Sequence, residues 1–228
     1  MRKENTKFSK INKILIYILL FLNLFLLVKI VVQFNELKED VRMLNRSVSI
    51  NDLNSDLYVS KSDLINMILY ANYIKSEYSF YSYDYISNIV VLCYNISKEY
   101  DLNTSLVIAV IQVESDFDMT AVSSCGARGL MQLMYTTAQL YHDEQLNEQQ
   151  LFDIELNIRT GCKHLKYLIS RYGEKDGIAR YYAGRYYKEN YDYYYKVKEI
   201  EYRIENYFNM HKDDAVLCYN TCDDKKKK

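Results

Sequence analysis

The sequence predicts a mainly α-helical domain carried by a single transmembrane helix. Three observations support this prediction. Apolar residues recur at intervals of three and four in several separate segments, which is typical of amphipathic helices. No run of alternating apolar and polar residues convincingly indicates a sheet. One long apolar stretch near the N-terminus has the length of a membrane span.

The apolar stretch covers residues 14–32, and about 20 such residues are enough to cross a bilayer. Basic residues dominate positions 1–13 and acidic residues follow the stretch, so the positive-inside rule places the N-terminus in the cytoplasm. A cleaved signal peptide is the alternative, but it would have a shorter apolar core and a small-residue cleavage site. We therefore expect a single-pass signal anchor over residues 14–34, with the remaining chain outside.

Residues 35–84 are predicted to form a helical stalk or linker. A thin apolar ladder in its first half fits a helix, and a solvated spacer is favoured over a short coiled coil. A further helix is expected over residues 62–78, with Ser62 as its N-cap. The main domain is placed at residues 85–210, and a polar tail at residues 211–228.

Six helices are predicted from the start of the main domain onward. Their apolar spacing places them at residues 86–96, 104–115, 131–141, 156–172, 176–183 and 191–208. A loop rich in small residues, 126–129, leads into the third helix, and Gly173 is expected to cap the fourth.

Composition argues against two classes of site. The formal net charge is -1 and no basic stripe is interleaved with aromatic residues, so we expect no nucleic-acid partner. The cysteines follow no metal-ligand spacing, and we expect neither a metal nor an organic cofactor. Their odd number leaves at least one thiol free or paired between chains. The cysteines are Cys93, Cys125, Cys162, Cys218 and Cys222.

Glu114 is the candidate catalytic residue because it closes the apolar helix 104–115. The side chains of Val107, Val110 and Ile111 point toward the same side of that helix, so Glu114 is expected on or beside a buried face. Burial raises the pKa of a carboxyl above its usual value of about 4.3. Such an acid is suited to protonating the leaving oxygen of a glycosidic bond. An exposed, functionless Glu at a helix end is the alternative, and the helix pattern alone leaves it open.

Three sequence blocks carry a family resemblance. The first comprises Glu114, Ser115, Phe117, Ala121, Val122, Ser123, Gly126, Ala127, Gly129, Leu130, Met131, Gln132, Leu133, Met134, Thr137 and Ala138. The second comprises Asn157, Ile158, Gly161, Leu165 and Leu168, and the third, which matches in part, Tyr181, Ala183 and Gly184. In order and spacing they resemble the soluble lytic transglycosylase (SLT) family of the lysozyme-like superfamily, over roughly residues 86–208.

The resemblance implies a lysozyme-like helical catalytic domain. Its substrate would be peptidoglycan glycan strands outside a bacterial membrane, cleaved between N-acetylmuramic acid and N-acetylglucosamine to leave 1,6-anhydromuramic ends. Glu114 would act first as acid and then as base. Ser123, Gln132 and Tyr181 would bind the sugar, and Met131 would line its subsite, with core packing as the alternative for Met131.

Two features keep other functions open. Retaining glycosidases usually need a second carboxylate about 5–5.5 Å away, whereas Asp116 and Asp118 follow the helix end and are expected near solvent. The resemblance implies that the substrate's N-acetyl group replaces it, although lysozyme-type hydrolysis remains an alternative. The family usually has Pro where this chain has Tyr135 and Asn where it has Tyr182. The second difference leaves open a non-catalytic protein that binds peptidoglycan.

Overall fold

The computed structural model describes residues 60–183 and 191–223, with side chains described as far as residue 216. The predicted anchor, residues 14–34, and the cytoplasmic tail lie outside the described residues, as does most of the stalk. Within the two described ranges, no helix is long and apolar enough to cross a membrane. The same ranges contain helices and isolated β-bridges but no strand, which confirms the prediction of a mainly α-helical domain.

Seven α-helices and one short 3₁₀ helix form the described part of the chain. In chain order the α-helices are α1 (Lys61–Glu77), α2 (Tyr83–Glu99), α3 (Thr104–Ser115), α4 (Tyr135–Gln139), α5 (Ile154–Tyr172), α6 (Glu174–Ala183) and α7 (Asp192–Asp223). The 3₁₀ helix, Glu148–Phe152, lies between α4 and α5.

Helix α3 lies at the centre of the fold, between α2 and α7. Every side chain from Leu106 to Ile111 is buried, so apolar residues surround this helix on all sides. Asn103 caps its first turn by accepting a hydrogen bond from the backbone N–H of Ser105. The helix ends at Asp116, which adopts a left-handed conformation with φ of 49°. The terminal carboxyl of Glu114 is thus held at the edge of the core.

Helix α1 packs into the same core, although the sequence analysis assigned residues 61–77 to the stalk. Met67 and Ile68 are buried, and α1 contacts both α2 and α7. The helix begins earlier than expected, because Ser60, and not Ser62, accepts the capping hydrogen bond from the N–H of Asp63. A hydrophobic pattern on one helix cannot reveal which other helix will cover it.

The predicted helix over residues 131–141 is wrong in its first half. Gln132 has a positive φ of 45°, and the backbones of Arg128 and Leu133 pair as an antiparallel bridge. This tight loop prevents helical hydrogen bonding until α4 begins at Tyr135. By contrast, the predicted C-cap at Gly173 is confirmed, with φ of 81° at the end of α5.

The loop between α3 and α4 is fixed to α5 by the side chain of Asn157. Its Oδ1 accepts from the N–H of Met131 at 2.7 Å, and its Nδ2 donates to the carbonyls of Leu151 and Arg128. Gly129 passes so close that an added Cβ would lie 2.5 Å from the amide of Asn157. The second sequence block therefore serves to hold the loop that follows Glu114.

Candidate active site

Glu114 lies in the last turn of α3, half-buried at the edge of the core. Its Oε1 accepts a hydrogen bond of 2.6 Å from the hydroxyl of Tyr193, on α7. No described residue donates to its second oxygen, Oε2. One oxygen of the carboxyl is therefore fixed by the protein, and the other remains available.

Desolvation by the surrounding core raises the pKa of Glu114 to about 7. The hydrogen bond from Tyr193 favours the charged form and offsets part of this increase. The position at a helix C-terminus acts in the same direction as burial, because the partial negative charge there disfavours a carboxylate. Glu114 is consequently divided between its protonated and ionised forms near neutral pH.

Tyr193 was not among the site residues predicted from the sequence. This tyrosine is 7% exposed, and burial, together with the neighbouring Glu114 carboxylate, raises its pKa well above the usual value. It therefore remains a hydrogen-bond donor. Tyr193 lies 79 residues after Glu114 in the sequence. Helical periodicity gives no signal for a contact between residues so far apart in the sequence.

Tyr181, one of the predicted sugar-binding residues, lies near Glu114. Its hydroxyl donates to the backbone carbonyl of Met131 at 2.9 Å. Desolvation raises its pKa well above the usual value, and the nearby charge of Glu114 adds to the increase. Its ring also approaches His164, whose pKa is lowered to about 4 by burial. The wall of the site formed by Tyr181 and His164 is therefore uncharged at neutral pH.

Met131 occupies the core beneath the loop. Its side chain is fully buried, and the glycine at position 161 makes room for it, since an added Cβ would meet the sulfur at 2.4 Å. Core packing was the alternative considered for this residue, and the structure places the side chain there. Met131 contributes to the wall of the site through its backbone carbonyl, which accepts a hydrogen bond from the hydroxyl of Tyr181.

Ser123 and Gln132 both stabilise the loop that follows α3. The hydroxyl oxygen of Ser123 accepts from the N–H of Ala127 at 3.0 Å, which leaves its own hydrogen for another acceptor. The amide nitrogen of Gln132 donates to the carbonyls of Ala121 and Gly129. Both side chains are half-buried. They shape the loop and retain polar atoms that can meet a ligand.

The two nearest acids in the sequence are engaged locally. Asp116 is exposed, and its Oδ1 accepts a hydrogen bond of 2.6 Å from the hydroxyl of Tyr78. Asp118 accepts from both the N–H and the hydroxyl of Thr120. Each carboxylate therefore has a role in holding the turn after α3. Among the described residues, no cluster of His, Cys, Asp and Glu has the arrangement of a metal site.

Tyr182 lies on the other side of Tyr193. Their rings are nearly parallel, at an interplanar angle of 15°, with centroids 5.2 Å apart. Tyr182 is nevertheless 72% exposed. Tyr182, one of the two departures from the resembled pattern, is thus in contact with the tyrosine that holds Glu114.

The chain is similar in sequence to known transglycosylases. Residues 92–204 match the family model of the transglycosylase SLT domain. The chain is 37% identical over 95 residues to membrane-bound lytic murein transglycosylase C of Edwardsiella ictaluri (strain 93-146), a match covering 38% of this chain and 26% of that protein. It is 35% identical over 88 residues to the transglycosylase of Enterobacteria phage PRD1, covering 39% of this chain and 31% of the phage protein.

The matches cover about a quarter to a third of the length of these relatives. A solved structure of an inactive mutant of the lytic transglycosylase Slt from Pseudomonas aeruginosa is 19% identical, covering 80% of this chain and 37% of that one. The TM-score of this match is 0.40. The family-model match, at residues 92–204, includes Glu114 and the loop after it. Residues 92–204 of this chain are therefore a transglycosylase SLT domain.

Proposed function

We propose that this protein is a peptidoglycan lytic transglycosylase in which Glu114 protonates the glycosidic oxygen. The observation that carries this proposal is a half-buried carboxyl with a pKa near 7, in an SLT domain. The ideal general acid has a pKa close to the working pH, because it must both hold and release its proton. The names of the relatives support murein as the substrate.

The geometry supports a division of labour between the two oxygens of Glu114. Tyr193 binds Oε1, so the transferable proton resides on Oε2, which faces the substrate in this proposal. As the bond between the sugars breaks, the proton moves from Oε2 to the leaving oxygen of N-acetylglucosamine. Tyr193 then stabilises the resulting carboxylate through its hydrogen bond.

The second step uses the same carboxylate as a base. We propose that the carbonyl oxygen of the substrate's N-acetyl group first bonds to the anomeric carbon of N-acetylmuramic acid. Glu114 then removes the proton of the 6-hydroxyl, whose oxygen attacks that carbon and releases the N-acetyl group. The product is a 1,6-anhydro end, and no water is consumed. The local engagement of Asp116 and Asp118 favours this route over a second protein carboxylate.

The remaining site residues are proposed to hold the glycan. Ser123 has a hydroxyl hydrogen available for a sugar or N-acetyl oxygen, and Gln132 presents its half-buried amide on the same loop. Tyr181 forms an uncharged wall beside the acid. Met131 supports that wall through its carbonyl. We place the domain on the outer face of the bacterial membrane, held by residues 14–34. This placement rests on the apolar sequence and the relatives named membrane-bound.

Product analysis tests the proposal. The full-length chain is incubated with purified sacculi, and the soluble muropeptides are analysed by mass spectrometry. We expect anhydromuramic ends from the wild type, none from Glu114→Gln, and an unchanged pattern from the control Glu205→Gln, an exposed glutamate on α7. Reducing ends would instead identify a lysozyme-type hydrolase. Glycan binding without any product would identify a non-catalytic protein.

A further inference from the structure

The exposed ring of Tyr182 needs an explanation that its own packing does not provide. One face lies against Tyr193, and 72% of the residue is still open to solvent. Its hydroxyl forms no hydrogen bond with the described residues. The preceding residue, Tyr181, turns inward and bonds to a backbone carbonyl. Two consecutive tyrosines of α6 thus have opposite environments, and only one of them contributes to the core.

The position of this ring relates it to the acid. Tyr193 contacts Tyr182 with its ring and Glu114 with its hydroxyl. One aromatic side chain therefore links the exposed ring to the reacting carboxyl. A ligand lying against the open face of Tyr182 would therefore be separated from the Glu114 carboxyl by two stacked tyrosine side chains.

The chemistry of an aromatic face limits what it can bind. A tyrosine ring offers a flat apolar surface and a polar tip. A pyranose ring presents C–H groups on its faces and hydroxyl groups around its rim, so it matches both parts of such a side chain. The amide side chain usual at this position in the family offers hydrogen bonds but no such flat face. This chain has therefore exchanged a hydrogen-bonding side chain for a stacking surface.

We infer that Tyr182 is a specificity-determining residue that stacks on a pyranose ring of the glycan strand bound at Glu114. The inference rests on the proposed function. It assigns Tyr182 to substrate binding, whereas Tyr193 acts on the proton. Because the Tyr182 ring contacts the substrate in the ground state and in the transition state alike, its loss raises KM and leaves kcat nearly unchanged.

Binding to an inactive protein provides the first test. In the Glu114→Gln background, calorimetry measures the affinity of full-length variants for oligomers of N-acetylglucosamine. We expect Tyr182→Ala and Tyr182→Asn to weaken binding about three- to tenfold, and Tyr182→Phe to preserve it, since an aromatic stacking contact contributes roughly this much. The matched control is Tyr202→Ala, which removes a tyrosine of α7 that is 63% exposed. Thermal melting verifies that every variant is folded.

Kinetics on sacculi provides the second test and separates the possible failures. If the wild type cleaves glycan and Tyr182→Ala binds oligomers as tightly as its parent, the stacking role is wrong while the proposed function stands. If Tyr182→Ala lowers kcat and moves the pH profile without changing KM, Tyr182 acts through Tyr193, and the stacking role is again wrong. If the wild type neither cleaves nor binds glycan, both the proposed function and the stacking role fall.

Discussion

The two ends of α3 hold two sheltered carboxylates in opposite ways. At the N-terminal end, the carboxylate of the buried Glu201, on α7, accepts two hydrogen bonds. One comes from Lys198 Nζ at 2.5 Å and the other from the hydroxyl of Ser105 at 3.2 Å. At the C-terminal end, the carboxyl of Glu114 accepts one hydrogen bond, from the hydroxyl of Tyr193, and no cation of the described residues pairs with it. The helix dipole favours a negative charge at the first end and disfavours it at the second.

Under the proposed function, this difference separates a structural carboxylate from a reactive one. Glu201 is surrounded by donors, including a cation, and so its charge is compensated. Burial removes water from the carboxyl of Glu114, and its single hydrogen bond does not compensate for that loss. Its pKa is therefore raised. Perturbed acids of this kind are concentrated in active sites. The comparison therefore predicts that the same substitution, Glu to Gln, will have opposite consequences at the two ends.

The largest expected effect is on turnover. Glu114→Gln removes the transferable proton and should lower kcat on sacculi by about 10²- to 10⁴-fold, the usual contribution of a general acid. Glu201→Gln should stay within a few fold of wild type, because Glu201 lies at the other end of α3. Release of muropeptides, followed by chromatography, measures both. Equal losses in the two variants would mean that Glu114 acts through stability instead of proton transfer.

The next largest effect is on the free energy of unfolding. The Glu-to-Gln substitution should change it in opposite directions at the two ends of α3. The pKa of Glu114 rises on folding from 4.5 to about 7, so the native state binds more protons than the unfolded chain between these values. The stabilisation from this proton is complete below pH 4.5 and lost as the pH rises through 7. At pH 8, Glu114→Gln should therefore stabilise the protein by about 3 kcal/mol, and at pH 4 it should have little effect.

Glu201→Gln should do the reverse at pH 8. Removing this carboxylate leaves Lys198 with Glu174 as its remaining partner and weakens the bonds from Ser105. We expect a loss of about 2 kcal/mol in the free energy of unfolding. Urea denaturation of both variants at the two pH values measures the contrast. If Glu114→Gln destabilised the protein at pH 8, the carboxylate of Glu114 would not be strained by burial.

A third prediction concerns the pH dependence of activity. Tyr193→Phe removes the hydrogen bond that lowers the pKa of Glu114, so this pKa should rise above 7. The alkaline limb of kcat/KM then moves upward by about one pH unit, because a hydrogen bond to a charged group contributes about 1.5 kcal/mol. Tyr202→Phe is the control. A pH profile unchanged by Tyr193→Phe would contradict the role of this contact.

The same contrast explains which parts of the site were predictable from the sequence. The helix containing Glu114 and its buried face follow from local periodicity, as does the glycine cap of α5. The contact with Tyr193 depends on how α7 crosses α3, and neither helix encodes that crossing by itself. The loop at Gln132 appeared helical because its apolar spacing continues, although its backbone has a positive φ. Long-range packing and local backbone reversal are the two features that periodicity does not contain.

The smallest predicted effect isolates the N-terminal end of α3. Asn103 accepts from the N–H of Ser105 and donates to Glu201 over 3.4 Å. Asn103→Ala should cost about 1 kcal/mol in the free energy of unfolding, whereas Asn103→Ser, which keeps a capping oxygen, should cost less. Neither should shift the pH profile, because a helix of this length separates the site from Glu114 by roughly 16 Å. A shifted profile in Asn103→Ala would show that the two ends of α3 are coupled, and the comparison between an independent structural carboxylate and a reactive one would fail.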